Sequence, residues 1–134
     1  LVFSHFYLNS ATTSFSSLQR RKKMSLSNCI HKPDEERTKE KHVPEMKLNG
    51  NHVDIKCGAT TMHPATEKHY IGTIRLFGIT KEGNITLELG CQQIWPGLGE
   101  PVASFRVCDL EKYKGLLAVA YCNLHGCWEN YLEL

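Results

Sequence analysis

The chain alternates apolar and polar residues in short runs from about residue 41 onward. Because strand side chains point to opposite faces in turn, this alternation is typical of half-buried strands. The predicted strands cover residues 53–57, 70–77, 85–89, 104–107 and 117–121, with Leu117, Val119 and Tyr121 as the apolar positions of the last one. Turn-forming Gly, Pro and Asn residues separate the runs, and no segment keeps a helical period. The pattern predicts an all-β, immunoglobulin-like β-sandwich.

Residues 1–39 are expected to form an extension outside this fold. Residues 1–23 are rich in Ser and Thr, contain no acid and end in four basic residues before Met24. This composition fits an organelle transit peptide, an upstream extension of a protein that starts at Met24, or a functional tail, and we favour the second interpretation. Residues 24–39 are polar and predict a flexible arm. Residues 40–134 are therefore expected to be the one folded domain.

The charge of the chain is concentrated in that extension. The formal net charge is +2, and removing the four basic residues of 1–23 from the total of 16 leaves 12 against 14 acidic residues, or −2. A folded part with this balance does not favour nucleic-acid binding. No apolar run approaches the roughly 20 residues that span a membrane. Neither nucleic acid nor membrane is an expected partner.

The six cysteines show no paired spacing, and no secretory signal precedes them. A disulfide framework is therefore not expected, and reduced thiols in the cytoplasm are. The chain has no Cys-x-x-Cys motif, which argues against a four-cysteine zinc or iron site.

Four of the seven histidines lie in three compact motifs: EKHVP at 40–44, HPATEKHYI at 63–71 and CNLHGCW at 122–128. The third motif is expected just after the last strand. Loops gather at the ends of a sandwich, so the three motifs can converge on one ion. Imidazole suits iron, copper, zinc and nickel, and a thiolate adds a soft, electron-rich donor. Each motif alone is a weak signal, whereas their order and spacing together are specific.

The three motifs together resemble superoxide reductase in its one-iron form, neelaredoxin, of the desulfoferrodoxin iron-binding family. The resemblance covers roughly residues 40–130. It implies a seven-stranded immunoglobulin-like sandwich and an enzyme that reduces superoxide by one electron to hydrogen peroxide without releasing O2.

The resemblance also implies a site with one iron ion per chain. The implied equatorial ligands are His42, His63, His69 and His125, the axial ligand is Cys122, and Glu40 is the sixth ligand in the oxidised state. Lys41 supplies a positive charge beside the open position, where it attracts the superoxide anion. The implied partners are an external electron donor such as rubredoxin and further copies of the chain, in a dimer or tetramer.

Two positions depart from the family pattern. Cys127 stands where relatives usually have Leu, and Gly72-Thr73 replace an acid and a Trp that packs near the site. Shielding of the iron is therefore expected to differ. Three further residues could belong to a metal site but are not expected to. His31 and His52 are expected to be solvated, and Trp128 is expected to be an ordinary core residue.

Two other kinds of metal protein compete with this interpretation. A blue-copper carrier needs a weak axial Met, and the three Met residues at 24, 46 and 62 all precede the third motif. A structural zinc site uses four ligands, fewer than the candidates here. Both leave the Glu40-Lys41 pair unexplained.

Overall fold

The computed structural model describes residues 24–35 and 41–134. The predictions for residues 1–23, for 36–39 and for Glu40 lie outside the described residues. The described chain forms seven strands: β1 Pro44–Asn49, β2 His52–Cys57, β3 Ile71–Thr80, β4 Thr86–Gln93, β5 Val102–Arg106, β6 Tyr113–Cys122 and β7 Gly126–Glu133. Its helical content is limited to three short 3₁₀ turns at Leu26–Asn28, Pro33–Glu35 and Leu110–Lys112.

The strands form two antiparallel sheets that pack face to face. One sheet has the order β1-β2-β5 and the other β4-β3-β6-β7. The prediction of an all-β, seven-stranded immunoglobulin-like sandwich is therefore confirmed. No helix in the described ranges is long and apolar enough to cross a membrane.

The core lies between the two sheets and is built by alternate residues of their central strands. Its fully buried aliphatic side chains include Val53 and Ile55 of β2, Ile74 and Leu76 of β3, and Leu116 of β6. Burial of each large aliphatic side chain contributes about 1.5–3 kcal/mol. The period-two pattern of these strands thus produces the interface between the sheets.

Two strands present faces other than those expected from their alternation. In β6 the inward residues are Leu116, Ala118 and Ala120, whereas Leu117 and Val119 are half-buried and Tyr121 is exposed. The sequence LLAVAY is apolar at every position, so alternation alone does not identify its buried face. Leu87 of β4 and Ile85, which comes just before this strand, are likewise exposed, and β4 is an edge strand of its sheet.

The sequence pattern missed the first and last strands. β1, with the sequence PEMKLN, does alternate apolar and polar residues, but the run is only six residues long and begins with Pro44, a residue that is unfavourable within sheets. β7, with the sequence GCWENYLE, has no regular alternation, and most of its residues are half-buried. The expectation that the third motif follows the last strand is wrong. Cys122 ends β6, and a short turn leads from it directly into β7.

Part of the predicted flexible arm is attached to the sandwich. The His31 N–H donates to the Cys127 carbonyl over 2.8 Å, and the Glu129 N–H donates to the His31 carbonyl over 2.9 Å. The Lys32 ammonium group also forms an ion pair with the Glu129 carboxylate. Residues 31–32 are therefore fixed along β7.

Gly78 of β3 is expected to be sensitive to substitution. A Cβ atom there would lie 2.5 Å from the ring of Tyr113, which is buried and has little room to move. Gly78→Ala should lower the free energy of unfolding by about 1–3 kcal/mol, the usual cost of overpacking, as measured by urea denaturation.

The matched control is Gly115→Ala. Its Cβ would also overlap a tyrosine, Tyr131, but that side chain is exposed and can turn away. An equal loss in both variants would contradict the claim that burial of the Tyr113 ring sets the cost.

Candidate metal centre

The four histidines of the three motifs all lie at one end of the sandwich. They are His42, His63, His69 and His125. At this end β1 begins and β2 ends, since Pro44 pairs with Cys57. β3 begins, β6 ends and β7 begins here too, since Ile71 pairs with Cys122 and Cys122 with Gly126. Residues just outside these strand ends are therefore brought together from distant parts of the chain.

His63 lies in the loop after β2 and is buried, with 2% of its surface exposed. Its Nδ1 lies 2.8 Å from the Pro64 carbonyl oxygen, so it is Nδ1 that carries the proton and donates. Nε2 is then the nitrogen with the free lone pair, and it is buried without a hydrogen-bond partner. A histidine held through one nitrogen to a carbonyl is the usual arrangement of a metal ligand.

The environment of His63 favours its neutral, ligating form. Burial, and to a smaller extent the neighbouring imidazoles of His69, His42 and His125, lower the pKa of His63 to about 4, although the Pro64 carbonyl opposes the shift. A neutral imidazole is the form that binds a metal ion.

His69 is fixed by a tight turn just before β3. The Thr66 N–H donates to the His69 carbonyl, and the His69 N–H donates to Thr66 Oγ1, both over 3.0 Å. Its Nε2 is also buried without a partner, and its ring centroid lies 4.4 Å from that of His63. Burial first, then the charges of His125, His42 and Lys41, lower the pKa of His69.

Cys122 and His125 come from the β6–β7 turn. Cys122 is fully buried, whereas His125 is exposed. The Nδ1 atom of His125 lies 3.6 Å from Cys122 Sγ and 3.1 Å from Nε2 of His42. His42, in the loop before β1, thereby contacts the third motif.

Asn123 joins this turn to the second motif. The Tyr70 N–H donates to Asn123 Oδ1, and Asn123 Nδ2 donates to the Lys68 carbonyl, both over 2.9 Å. The role of Asn123 was not predicted, because an amide that binds only backbone groups leaves no mark in the sequence beyond its place in the motif. Its contacts fix the loop of His69 against the turn that carries His125.

The donor atoms converge closely enough to hold one ion. One ligating atom each from His42, His63, His69 and Cys122 lies within 4.8 Å of all the others, and His125 contacts two of the four residues. Buried nitrogens without partners are costly in a folded protein, and a metal ion would satisfy both Nε2 atoms. Four imidazoles and one thiolate are a donor set that fits iron.

The two other residues predicted to belong to the site, Glu40 and Lys41, lie in the first motif. Lys41 is half-buried, and its charge contributes to the lowered pKa of His69, so it lies close to the cluster. Glu40 lies outside the described residues.

Trp128 is buried, but its surroundings differ from those expected of an ordinary core residue. Its indole stacks on the His42 ring at a centroid distance of 4.9 Å and an interplanar angle of 16°. Its Nε1–H donates to the His125 carbonyl over 3.2 Å. Its position three residues after His125 in the third motif is the signal that could have indicated this role, which the sequence analysis did not predict.

The low pKa of His63 predicts a pH dependence for the metal-free protein. Between about pH 6.5 and pH 4 the unfolded chain protonates this histidine and the folded chain does not, so stability is present above pH 6.5 and falls as the pH is lowered through this range. Urea denaturation from pH 7 to pH 4 should show this fall, and His63→Gln should reduce it. His52→Gln, at a half-exposed histidine of β2, is the control and should keep the slope of the parent. An unchanged slope in His63→Gln would contradict the assignment.

Comparison with known proteins supports the same family. The Desulfoferrodoxin family profile matches residues 34–131. A superoxide reductase of Pyrococcus abyssi is 35% identical over 102 residues, which cover 71% of this chain and 88% of the relative. A desulfoferrodoxin homologue of Archaeoglobus fulgidus is 38% identical over 95 residues, and the matched part spans 69% of this chain and 63% of the relative.

Solved structures agree with the sequence comparison. A superoxide reductase (1Fe-SOR) from Giardia intestinalis is 95% identical, with a TM-score of 0.70, and the match covers 72% of this chain and all of that one, 100%. A superoxide reductase (neelaredoxin) from Ignicoccus hospitalis is 28% identical, with a TM-score of 0.67 and coverage of 83% and 98%. The resemblance inferred from the three motifs is confirmed, and the chain belongs to the desulfoferrodoxin family.

Proposed function

We propose that His42, His63, His69, His125 and Cys122 hold the single iron ion at which this superoxide reductase converts superoxide to hydrogen peroxide. The observation that carries the proposal is the convergence of four imidazoles and one buried thiol, two of whose imidazole nitrogens have no partner in the protein. The names of the relatives, superoxide reductase and 1Fe-SOR, support the same reaction.

The chemistry that iron supplies at this site is the transfer of one electron to superoxide, which becomes hydrogen peroxide on taking up two protons. The protein holds the donor groups ready for the ion. The Pro64 carbonyl fixes the tautomer of His63, and the turn around Thr66 fixes the backbone of His69. Cys122 supplies a thiolate, whose electron-rich sulfur tunes a bound iron as cysteine does in other iron proteins.

The donor set supports iron over the competing metals. A structural zinc site is closed by four ligands, and five donors meet here. A blue-copper site needs an axial Met. Of the two later Met residues, Met46 packs in the hydrophobic core and Met62 is exposed beside His63, and neither belongs to the converging group.

Lys41 is proposed to attract the substrate. Residues 24–134 carry a formal charge of −2, so the domain as a whole does not attract an anion. A local positive charge beside the metal cluster raises the encounter rate with superoxide, and the effect of Lys41 on His69 supports this location. Glu40, its neighbour in the chain, is proposed as the sixth ligand in the oxidised state.

A redox partner must return one electron after each turnover, and rubredoxin is the proposed donor. The exposure of His125 supports direct approach of such a partner to the metal ligands. The cytoplasm is the proposed location, supported by the six cysteines, all free and all within the described ranges.

A homo-oligomer, a dimer or tetramer, is proposed as the state in solution. The open edge of the larger sheet at β4 supports it. So do two exposed apolar side chains in the following loop, Trp95 at 66% and Leu98 at 87% exposure.

Cys122→Ser tests the thiolate ligand. A hydroxyl is a far weaker donor to iron than a thiolate, so the visible absorption that arises from thiolate-to-iron charge transfer should disappear from the oxidised protein. Cys91→Ser, at an exposed cysteine of β4, is the control and should keep the band. A band that survives in Cys122→Ser would exclude this residue as a ligand.

Lys41→Ala tests the attraction of superoxide. The second-order rate constant, measured by pulse radiolysis, should fall severalfold, toward the lower end of the ~10–10³-fold range of electrostatic steering. Its dependence on ionic strength should also become flatter. Lys47→Ala, at an exposed lysine of β1, should match the parent. An unchanged rate and salt dependence in Lys41→Ala would contradict the steering role.

A further inference from the structure

Three aromatic rings are stacked between the N-terminal segment and the metal cluster. The His31 ring lies on one side of Trp128, at a centroid distance of 4.6 Å and an interplanar angle of 29°. His42 stacks on the same indole at 4.9 Å and 16°. Stacked aromatic pairs contribute beyond their buried area and restrict each other's orientation.

The indole supports the site at two points. Its ring packs on His42, whose Nε2 lies among the converging donors. Its N–H holds the backbone carbonyl of His125 over 3.2 Å. A shift or tilt of Trp128 would therefore change the position of two of the five donors.

His31 is itself held in place against the indole. Its N–H and carbonyl pair with Cys127 and Glu129 on either side of Trp128. Its Nδ1 lies 2.8 Å from a carboxylate oxygen of Glu35, one turn later in the same segment. The imidazole is consequently fixed at both its backbone and its ring, although 44% of the side chain is exposed.

We propose that His31 is a positioning residue of the metal centre. Through Trp128 it holds the ring of His42 and the backbone of His125 in the arrangement that receives the ion, and its own ring covers part of the indole. The inference rests on the proposed iron site. It extends that site beyond its proposed ligands, because His31 lies before the first motif and does not itself bind the ion.

The test compares the full-length chain with His31→Ala, His31→Phe and His52→Ala. The first readout is the rate at which bound iron passes to a chelator in excess. The second is the energy and width of the thiolate-to-iron absorption band. His31→Phe keeps a ring that can stack on Trp128. His52 is a matched control, since its side chain is 43% exposed beside Asp54 on β2, and β2 reaches the metal end only at Cys57.

In His31→Ala, iron release should be faster by roughly two- to tenfold, which corresponds to the ~0.5–1.5 kcal/mol of one aromatic pair, and the absorption band should broaden. His31→Phe should restore most of the parent's behaviour, and His52→Ala should not differ from the parent. Thermal unfolding of the metal-free variants separates a general loss of stability from a local effect on the ion.

Two failures are distinguishable. If the parent binds iron with the thiolate band and His31→Ala releases it at the parent's rate with an unchanged band, the role of His31 is overturned and the iron site stands. If the parent itself binds no iron with a thiolate band, the proposed site fails and the role of His31 fails with it.

Discussion

The metal end of this molecule depends on the antiparallel pairing of β6 with β3 on one side and β7 on the other. This pairing places the end of β6 beside the start of β3, so that Cys122 lies opposite Ile71 and close to the loop that carries His69. The hairpin from β6 into β7 then returns His125 over Cys122, with their donor atoms 3.6 Å apart. The register of this sheet thus brings the second and third motifs together, and the first motif joins them from the other sheet, where Pro44 at the start of β1 pairs with Cys57 at the end of β2.

The second constraint is the cost of burying polar atoms without partners. Two imidazole nitrogens, Nε2 of His63 and of His69, are buried and unpaired, while other polar groups around them are satisfied. The Nδ1 atom of His63 has the Pro64 carbonyl, and Asn123 pairs with two backbone groups. A fold that satisfies the surrounding groups but leaves these two nitrogens unpaired, within a cluster whose donor atoms lie within 4.8 Å of one another, is arranged to bind something there.

The sequence predicted the fold class through the alternation of apolar and polar residues, and it predicted the family through the three histidine motifs. Alternation identified β2 and β5, whereas β3 was predicted as a longer run without regular alternation. β6 is apolar on both faces and β7 has no regular alternation, so the buried face of β6 and the presence of β7 did not follow from periodicity. β1 alternates but is short and begins with Pro44, and it was missed. The proposed ligands followed from the resemblance carried by the order and spacing of the three motifs. The supporting contacts did not, because Asn123 binds backbone groups and His31 reaches Trp128 only through the tertiary pairing of residues 31–32 with β7.

The central claim is that one iron ion binds to four imidazoles and one thiolate, and a titration tests it most directly. Ferrous iron is added without air to the metal-free protein, and the visible spectrum is recorded after oxidation of each sample and again after reduction with ascorbate. We expect a red absorption band that saturates at one iron per chain, appears on oxidation and bleaches on reduction. A protein that takes up no iron, or that stays colourless after oxidation while binding zinc in the same ratio, would contradict it.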